Sequence, residues 1–217
     1  MPRVYIYVVA RDFGFAPNPF HGACTLATCK ADVRRTAQVG DWVIGMGGDR
    51  LKATGRCLFA MQVTSTLTFD EYWGDPAYRA KRPSRNGTRK SMVGDNIYHR
   101  SPVQKEWIQE DSHHSRPDGS PDTYNIATDT RTDRVLLSHR FLYFGRSAVE
   151  VPTEFLDAIG YANRRAHRVF PGETCKDLLA WLNQNFAGQF NQILDDPFDF
   201  ARSGARYSYQ SDRVIGQ

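Results

Sequence analysis

The segment "FGFAPNPFHGACTLATC" (residues 13–29) decides how the first part of the chain folds. It places three phenylalanines, two prolines, two glycines, one asparagine and two cysteines within seventeen positions. Gly14 and Gly22 permit backbone conformations that other residues avoid, while Pro17 and Pro19 hold the residues before them extended. The segment therefore predicts a stiff loop, in contrast to the regular elements on either side of it.

Those flanking elements are predicted from apolar patterns. The run "RVYIYVVA" (3–10) is β-branched and aromatic, which is typical of a buried strand. After the loop, a helix of about three turns is predicted from Thr25, and "DWVIGMGG" (41–48) predicts a second strand that closes in a glycine turn. The apolar stripe of that helix is formed by Leu26, Cys29, Val33 and Ala37.

The rest of the chain alternates between apolar runs and irregular segments. The longest predicted strand is 56–69, followed by a short helix and a long surface loop in 70–91. Segment 94–125 is irregular, with one helical turn predicted from Glu106 to Gln109. The other predicted elements are one or two strands in 134–145, a helix in 153–164 with Thr153 as N-cap, a helix in 174–186, and an edge strand at Tyr207 and Tyr209.

Composition sets the class of protein. The 217 residues are 41% hydrophobic and 24% charged, as in an ordinary globular chain. No apolar run approaches the roughly 18 residues that would span a bilayer, and the first residues lack the features of a signal peptide. We therefore expect a cytoplasmic protein without a membrane partner, whose four scattered cysteines stay as thiols.

Positive charge is concentrated in one segment. Residues 79–100 contain seven basic side chains and one acid, a local net charge of +6, whereas the whole chain carries +4. Such a segment can contact phosphates of a nucleic acid or nucleotide, with DNA favoured, and neighbouring aromatic rings can stack on bases. The alternative is an ordinary solvated loop. The predicted phosphate contacts are Arg82, Arg85, Arg89 and Lys90.

Two resemblances sharpen the prediction. "GDWVIGMGG" followed by "GRCLFAMQVTSTLTFDEYW" resembles the core of small β-barrels of the PUA, ASCH, EVE and YTH type, which commonly hold a nucleobase. The resemblance implies an α+β fold built as a PUA- or EVE-like mixed β-barrel with flanking helices. We expect a single domain over 1–217, with a barrel core at about 3–145 and C-terminal helices at 153–190.

The second resemblance covers most of the chain. "YVVARDFGFAPNPFHGACTLATCKADVR", "GDWVIGMGG", "FDEYW", "VGDNIYH" and "VLLSHRFLYFG" together resemble the nucleotide modification associated domain 2 family. The resemblance implies a setting of DNA base modification or phage-related systems, and it supplies no catalytic residues. The predicted base-binding or nucleotide-binding residues come from the chemistry of their side chains, and they are Asn18, Trp42, Trp73, Asp95, Asn96 and Tyr98.

Candidate catalytic residues are found in several places. Cys24 lies near a predicted helix start and three residues from His21, and "DSHHS" (111–115) offers imidazoles for acid–base chemistry or for a metal. The cysteine spacing does not match a zinc site, so neither a metal nor a cofactor is predicted. The catalytic candidates are Asp95, His99, Cys24 and His113.

Three functions remain open at this point. The preferred one is recognition of modified or unusual nucleotides in DNA, in a base-modification or phage-defence setting. The second is an enzyme that makes or processes a modified base or nucleotide. The third is a module that binds an acidic protein through the basic loop. The sequence leaves open which base is bound, whether the ligand is DNA, RNA or a free nucleotide, and the oligomeric state.

Overall fold

The computed structural model of the chain describes residues 2–164 and 166–216, and it has the predicted α+β class. The strands are β1 (Arg3–Val9), β2 (Cys24–Leu26), β3 (Trp42–Gly47), β4 (Arg56–Gln62), β5 (Ser65–Leu67), β6 (Tyr98–Arg100), β7 (Trp107–Gln109), β8 (Val135–Ser138), β9 (Phe141–Tyr143), β10 (Val149–Glu150), β11 (His167–Pro171), β12 (Gln192–Ile193), β13 (Arg206–Ser208) and β14 (Arg213–Ile215). The helices are α1 (Ala31–Thr36), α2 (Phe69–Gly74), α3 (Arg89–Met92), α4 (Thr123–Asp129), α5 (Thr153–Ala158) and α6 (Lys176–Asn185).

The central sheet has the strand order β11-β1-β3-β4-β9-β12, with β10 paired to β4. β1 and β3 are parallel, with Val4 opposite Trp42 and Val9 opposite Gly47, and the other pairs around them are antiparallel except β9 with β12. Within the described residues no pairing joins β11 to β12, so the predicted PUA- or EVE-like barrel is not confirmed.

Both faces of this sheet are covered, which explains why β1 is apolar at nearly every position. Tyr5 and Tyr7 pack into one hydrophobic cluster, while Val4 and Ile6 pack into another beneath α6. A strand buried on two sides needs a continuous apolar run instead of alternation. The predicted strands at 3–10 and 41–48 are therefore confirmed as β1 and β3.

A smaller sheet, β2-β8-β5, and the β6-β7 hairpin enclose a third cluster rich in aromatic rings. The loop at the start of residues 13–29, before β2, packs into this cluster, and its Phe13, Phe15 and Phe20 are buried. Gly14 has φ +72°, and a Cβ there would lie 2.7 Å from Pro197 and 2.8 Å from Phe20. Glycine is thus required at this bend. The predicted irregular loop after β1 is present, although it leads into β2 and not into a helix.

The predicted helix from Thr25 is wrong in its first half. Residues 24–26 form β2, which pairs with β8 so that Cys24 lies opposite Ser138. Cys29 and Lys30 then adopt φ values of +57° and +40°, which no helix accommodates, and α1 begins only at Ala31. Strand pairing to a segment more than 100 residues away overrides the local apolar stripe.

Three further predictions need correction. The helical turn predicted at Glu106–Gln109 is instead β7, because it pairs with β6. The strand predicted over 56–69 divides into β4 and β5, which belong to different sheets. Thr153 is the first residue of α5 and not its N-cap; Pro152 occupies the cap position without a side-chain hydrogen bond.

The C-terminal half largely follows its sequence pattern. Segment 134–145 forms two strands, β8 and β9, and the helix predicted in 174–186 is α6, whose Leu178 and Leu182 are buried. Tyr207 lies in β13, which pairs with β14 to form a C-terminal hairpin. Among the described residues, no helix is long and apolar enough to cross a membrane.

Candidate active site

A cavity of about 570 Å³ lies where the carboxyl ends of the parallel strands β1 and β3 meet the C-terminal hairpin. This volume is within the usual range for small-molecule sites, and the carboxyl ends of parallel strands are a common place for them. Its walls are strongly aromatic. The rings that line it belong to Tyr7, Phe13, Phe15, Tyr207 and Tyr209, together with the imidazoles of His113 and His114.

Cys29 and His114 line this cavity, and the buried carboxylate of Asp129 lies behind His114. The Sγ atom of Cys29 lies 3.8 Å from Nε2 of His114, and Nδ1 of His114 lies 2.7 Å from Oδ2 of Asp129. This is the arrangement of a nucleophile, its proton acceptor and the acid that orients the acceptor. We refer to Cys29, His114 and Asp129 as the triad.

The backbone at Cys29 is held in an unfavourable conformation. Its φ of +57° is rare for a residue with a side chain and persists only where the surroundings enforce it. The backbone N–H of Cys29 donates to Oδ1 of Asp129 at 2.7 Å, and its carbonyl accepts from Nε of Arg34 at 2.9 Å. Asp129 and Arg34 together therefore fix the position of the sulfur.

Asp129 is fully buried and accepts four hydrogen bonds. Besides Cys29 and His114, the donors are the hydroxyls of Tyr98 at 2.9 Å and Tyr209 at 3.3 Å. Burial by itself would raise the pKa of Asp129, but the neighbouring charges and hydrogen bonds outweigh it and hold that pKa below its ordinary value. The carboxylate is therefore ionised at neutral pH.

The two adjacent histidines are held in opposite protonation states. Burial by itself would lower the pKa of His114, but Asp129 and then Cys29 outweigh it and raise that pKa to about 10. Burial and the charge of His114 lower the pKa of His113 to about 3, and its Nδ1 lies 2.6 Å from the carbonyl of Ala205. The cavity thus contains a protonated imidazole beside the sulfur and a neutral one next to it.

Basic side chains add positive charge around the opening of the cavity. Arg11 pairs with Asp212 at 2.9 Å and lies over the ring of Tyr207, and the ammonium of Lys30 lies 4.3 Å from the ring centroid of Tyr7. Arg50 is exposed on the rim and makes no ion pair among the described residues. Asp49 and Asp212 also line the cavity, so its three cations exceed its carboxylates by one, and an exposed cation such as Arg50 can contact an anionic ligand.

The C-terminal hairpin supplies one wall of the cavity. Its backbone is tied to the segment that carries the histidines: the N–H of Tyr207 donates to the carbonyl of His113 at 2.6 Å. Asn125 donates to the carbonyl of Tyr207 at 2.7 Å and accepts from the N–H of Tyr209 at 3.0 Å. The rings of Tyr207 and Tyr209 are thereby fixed beside His114.

Two of the predicted base-binding residues, Asn18 and Asp95, lie in a sealed polar cluster. The ammonium of Lys81 donates to Oδ1 of Asn18 at 2.9 Å, and Asp95 accepts from Thr25 at 2.6 Å and Tyr72 at 2.8 Å. All five side chains are fully buried. Burial lowers the pKa of Lys81 to about 8 and raises that of Asp95 to about 6. These contacts hold the segment 13–29, which contains Asn18, against the 3₁₀ helix at Pro76–Lys81.

The other predicted base-binding residues are also engaged within the fold. Trp42 is buried against Phe190, and the amide of Asn96 donates to the carbonyl of Tyr72 at 2.9 Å. The ring of Trp73 is stacked by His99 at 4.1 Å and by Arg82 at 3.7 Å. Among the described residues that line the cavity none belongs to the predicted base-binding set; Tyr98 comes nearest, through its bond to Asp129. Their binding roles stay predictions.

The predicted phosphate-binding residues do not share one free surface. Arg82 stacks on Trp73, and Arg85 donates to backbone carbonyls of Met92 and Gly204. Lys90 lies 5.8 Å from the ring of Phe20, and Arg89 begins α3 on the exposed side. Phosphate binding by these four side chains stays a prediction, and the cavity draws its charge from other residues.

Only one of the catalytic candidates, His113, lines the cavity. Cys24 is fully buried 3.9 Å from the sulfur of Met61, and burial raises the pKa of its thiol far above the ordinary value, so it is a poor nucleophile. His99 pairs with Glu110 at 3.0 Å. Within residues 2–164 and 166–216, no group of three or more His, Cys, Asp or Glu side chains has the geometry of a metal site.

Sequence reasoning missed the triad itself. The segment "DSHHS" drew attention to the correct neighbourhood, but Cys29 was assigned to an apolar helix stripe and Asp129 was not noticed. The useful signal was Cys29, the second cysteine of residues 13–29. It lies at the end of an irregular segment, and catalytic side chains are often found on loops. Nothing local links residue 29 to residues 114 and 129.

Fold and cavity together define an α+β protein with a thiol–imidazole–carboxylate centre in an aromatic cavity. The chain belongs to the nucleotide modification associated domain 2 family, whose family model matches residues 1–204. This confirms the family resemblance and associates the chain with nucleotide modification. The match includes all three residues of the triad, whereas Tyr207 and Tyr209 lie beyond it. No match was found among curated proteins or among solved structures.

Proposed function

We propose that the protein is an enzyme of nucleotide modification that holds a nucleotide or nucleobase in its aromatic cavity and acts on it through Cys29. The observation that carries this proposal is the triad: Cys29 is 3.8 Å from His114, which is 2.7 Å from the buried Asp129. The enzyme function predicted as an alternative from the sequence thus becomes the preferred one.

The triad favours catalysis over simple recognition. Binding a base requires neither a thiol nor an imidazole oriented by a carboxylate. Burying two charged groups such as His114 and Asp129 is costly, and it is usual at catalytic sites, where protonation states must be controlled. The strained backbone at Cys29 is the kind of local cost that is tolerated when the geometry serves a reaction.

The walls of the cavity suit the proposed substrate. Flat rings such as those of Phe15 and Tyr209 can stack on a base, and Arg50 and Lys30 can contact a phosphate. His114 holds the proton that the thiol must release, because the thiolate is the reactive form of cysteine.

The setting proposed for this reaction is DNA base modification or phage defence in the cytoplasm. Support comes from the family and from four free cysteines, which suit a reducing compartment. A PUA- or EVE-like barrel is not needed for the proposal.

The test is the alkylation of Cys29 by iodoacetamide at pH 7, followed by peptide mass spectrometry, with and without canonical and 5-substituted deoxynucleoside monophosphates. Cys29 should react before the three buried cysteines, and a bound nucleotide should slow it at least tenfold. His114→Ala should also slow it at least tenfold, whereas His99→Ala, which changes an imidazole outside the cavity, should not. If millimolar nucleotides leave the rate unchanged, the proposal fails.

A second candidate is the reader of modified bases that the sequence favoured. The aromatic walls of the cavity support it independently of the triad. A reader predicts that Cys29→Ala binds oligonucleotides containing 5-hydroxymethylcytosine as tightly as the unaltered protein, and that the loss of Cys29 leaves its biological function intact. An enzyme predicts that the same variant keeps binding but loses function.

A further inference from the structure

The carboxylate of Asp212 is held at an anion-binding position on the wall of the cavity. Its Oδ1 atom accepts from Nη1 of Arg11 at 2.9 Å and from the hydroxyl of Tyr207 at 2.8 Å. The second nitrogen of the fork, Nη2 of Arg11, donates to the backbone carbonyl of Asp212 at 2.8 Å. All three residues line the cavity. An arginine fork and a hydroxyl that converge on one oxygen are donors that also suit a phosphate.

The two donors are fixed more firmly than the carboxylate that they bind. The side chain of Arg11 is 17% exposed, and its guanidinium lies 4.9 Å from the ring centroid of Tyr207. Tyr207 is itself held through its backbone by His113 and Asn125. The side chain of Asp212, in contrast, is 53% exposed and lies on the turn between β13 and β14. An exposed side chain on a turn can leave its donors while the core stays folded.

Tyr207 connects this anion position to the triad. Its ring centroid lies 5.9 Å from that of His114, and the guanidinium of Arg11 lies over the same ring. A phosphate bound by Arg11 is thus separated from the imidazole of His114 by a single aromatic ring. The sugar and base of a mononucleotide can then lie along the wall that Cys29 and His114 share.

We infer that Asp212 competes with the substrate for Arg11, and that the phosphate of a mononucleotide displaces the Asp212 carboxylate and takes over its donors. This inference rests on the proposed function, because it assigns the phosphate position of the same cavity. The substrate class is an anionic mononucleotide, since a neutral nucleoside has no group that replaces a carboxylate. The contact is autoinhibitory: the apparent affinity for a phosphate is reduced to the fraction of molecules in which Asp212 has left Arg11.

The variant Asp212→Asn separates charge from shape. The amide keeps the size of the side chain and one acceptor oxygen, but it lacks the negative charge that holds Arg11 and repels a phosphate. Exposed ion pairs of this kind shift an equilibrium by about fivefold at most, so the dissociation constants of nucleoside monophosphates should fall about three- to fivefold. The dissociation constants of the corresponding nucleosides should stay unchanged.

The chain contains a matched control for Asp212. Asp111 pairs with Arg206 of β13, so Asp111→Asn also removes one negative charge and one ion pair that anchors the same hairpin. The exposed fractions of the two aspartate side chains are similar, 45% for Asp111 and 53% for Asp212, but Asp111 does not line the cavity. Asp111→Asn should therefore leave the affinity for nucleotides unchanged.

Isothermal titration calorimetry of the full-length protein at pH 7 measures these affinities. The probes are the canonical and 5-substituted deoxynucleoside monophosphates and the nucleoside of each. Arg11→Met keeps the aliphatic stem and removes the fork, so it should weaken the binding of monophosphates about tenfold and leave that of nucleosides unchanged. In the Arg11→Met background, Asp212→Asn should have no further effect, because the competition requires the arginine.

Three contrary results are distinguishable. If Asp212→Asn leaves the affinity for monophosphates unchanged or weakens it, while nucleotides still protect Cys29 from alkylation, Asp212 does not compete and only this inference fails. Equal tightening for nucleosides and monophosphates, or the same tightening by Asp111→Asn, would assign the effect to a loosened hairpin and overturn the competition as well. If no nucleotide binds and none slows the alkylation of Cys29, the proposed function itself fails.

Discussion

Replacing His114 with glutamine should change how the stability of the protein depends on pH. Burial by itself would lower the pKa of His114, but Asp129 and Cys29 raise it from an ordinary 6.5 to about 10 in the folded protein. The folded state therefore binds this proton more tightly than the unfolded chain does. Its contribution to stability is complete below pH 6.5 and is lost as the pH rises towards 10.

The magnitude follows from the size of the pKa change. Each step of one in pKa corresponds to about 1.4 kcal/mol, so the rise from 6.5 to about 10 is linked to about 5 kcal/mol at low pH. Between pH 7 and pH 9, the free energy of unfolding of the unaltered protein should fall by about 2.5 kcal/mol relative to that of His114→Gln. Titrating groups that do not interact with His114 are common to both proteins and cancel in the difference.

Urea unfolding at pH 7, 8 and 9, followed by tryptophan fluorescence, measures this difference. Asn125→Ala is the matched control: Asn125 donates to the carbonyl of His114 at 2.7 Å, so its loss weakens the same segment without removing a titrating group. The gap between Asn125→Ala and the unaltered protein should not change with pH. A gap between His114→Gln and the unaltered protein that stays constant from pH 7 to 9 would refute the charge coupling of His114 to Asp129.

Two further predictions concern the sealed polar cluster and its surroundings. Lys81→Met should lower the free energy of unfolding by about 3–5 kcal/mol at pH 7, because it leaves the buried Asp95 without its cation. In urea unfolding, the double variant with Asp95→Asn should recover part of this loss, and additive losses would contradict the coupling. Gly94→Ala should lower the free energy of unfolding by more than about 2 kcal/mol, because the alanine Cβ would lie 2.4 Å from the backbone oxygen of Lys81. In thermal unfolding, Gly74→Ala should be neutral or slightly stabilising, because no atom lies within 4 Å of its Cβ.

The sequence predicted elements whose signal is local. β1 and β3 are β-branched apolar runs, and α6 has a clear helical period, so each pattern decides its own structure. Residues 24–31 show where local reasoning fails. Their apolar spacing fits a helix, but pairing with β8 and the positive φ values at Cys29 and Lys30 depend on segments far along the chain.

The site was less predictable for a related reason. Asn18 and Asp95 have the side chains of ligand-binding residues, and their loops are irregular, as binding loops are. A sequence does not show which polar groups satisfy one another, and in the structure Lys81 and Thr25 use the hydrogen-bonding capacity of both. Cys29 and Asp129 lie about 100 residues apart in the sequence, and no local pattern shows that they meet.

The structure also explains why the thiol depends on the whole fold. Asp129 uses one carboxylate oxygen to orient His114 and the other to hold the backbone of Cys29 in its strained conformation. Arg34, itself buried, bonds the carbonyl of Cys29 and also the carbonyl of Asp129. The group that sets the charge of the imidazole is thus the group that positions the sulfur. A substitution at Asp129 must therefore alter both the reactivity of the Cys29 thiol and its position. A second substitution can restore activity only if it restores both.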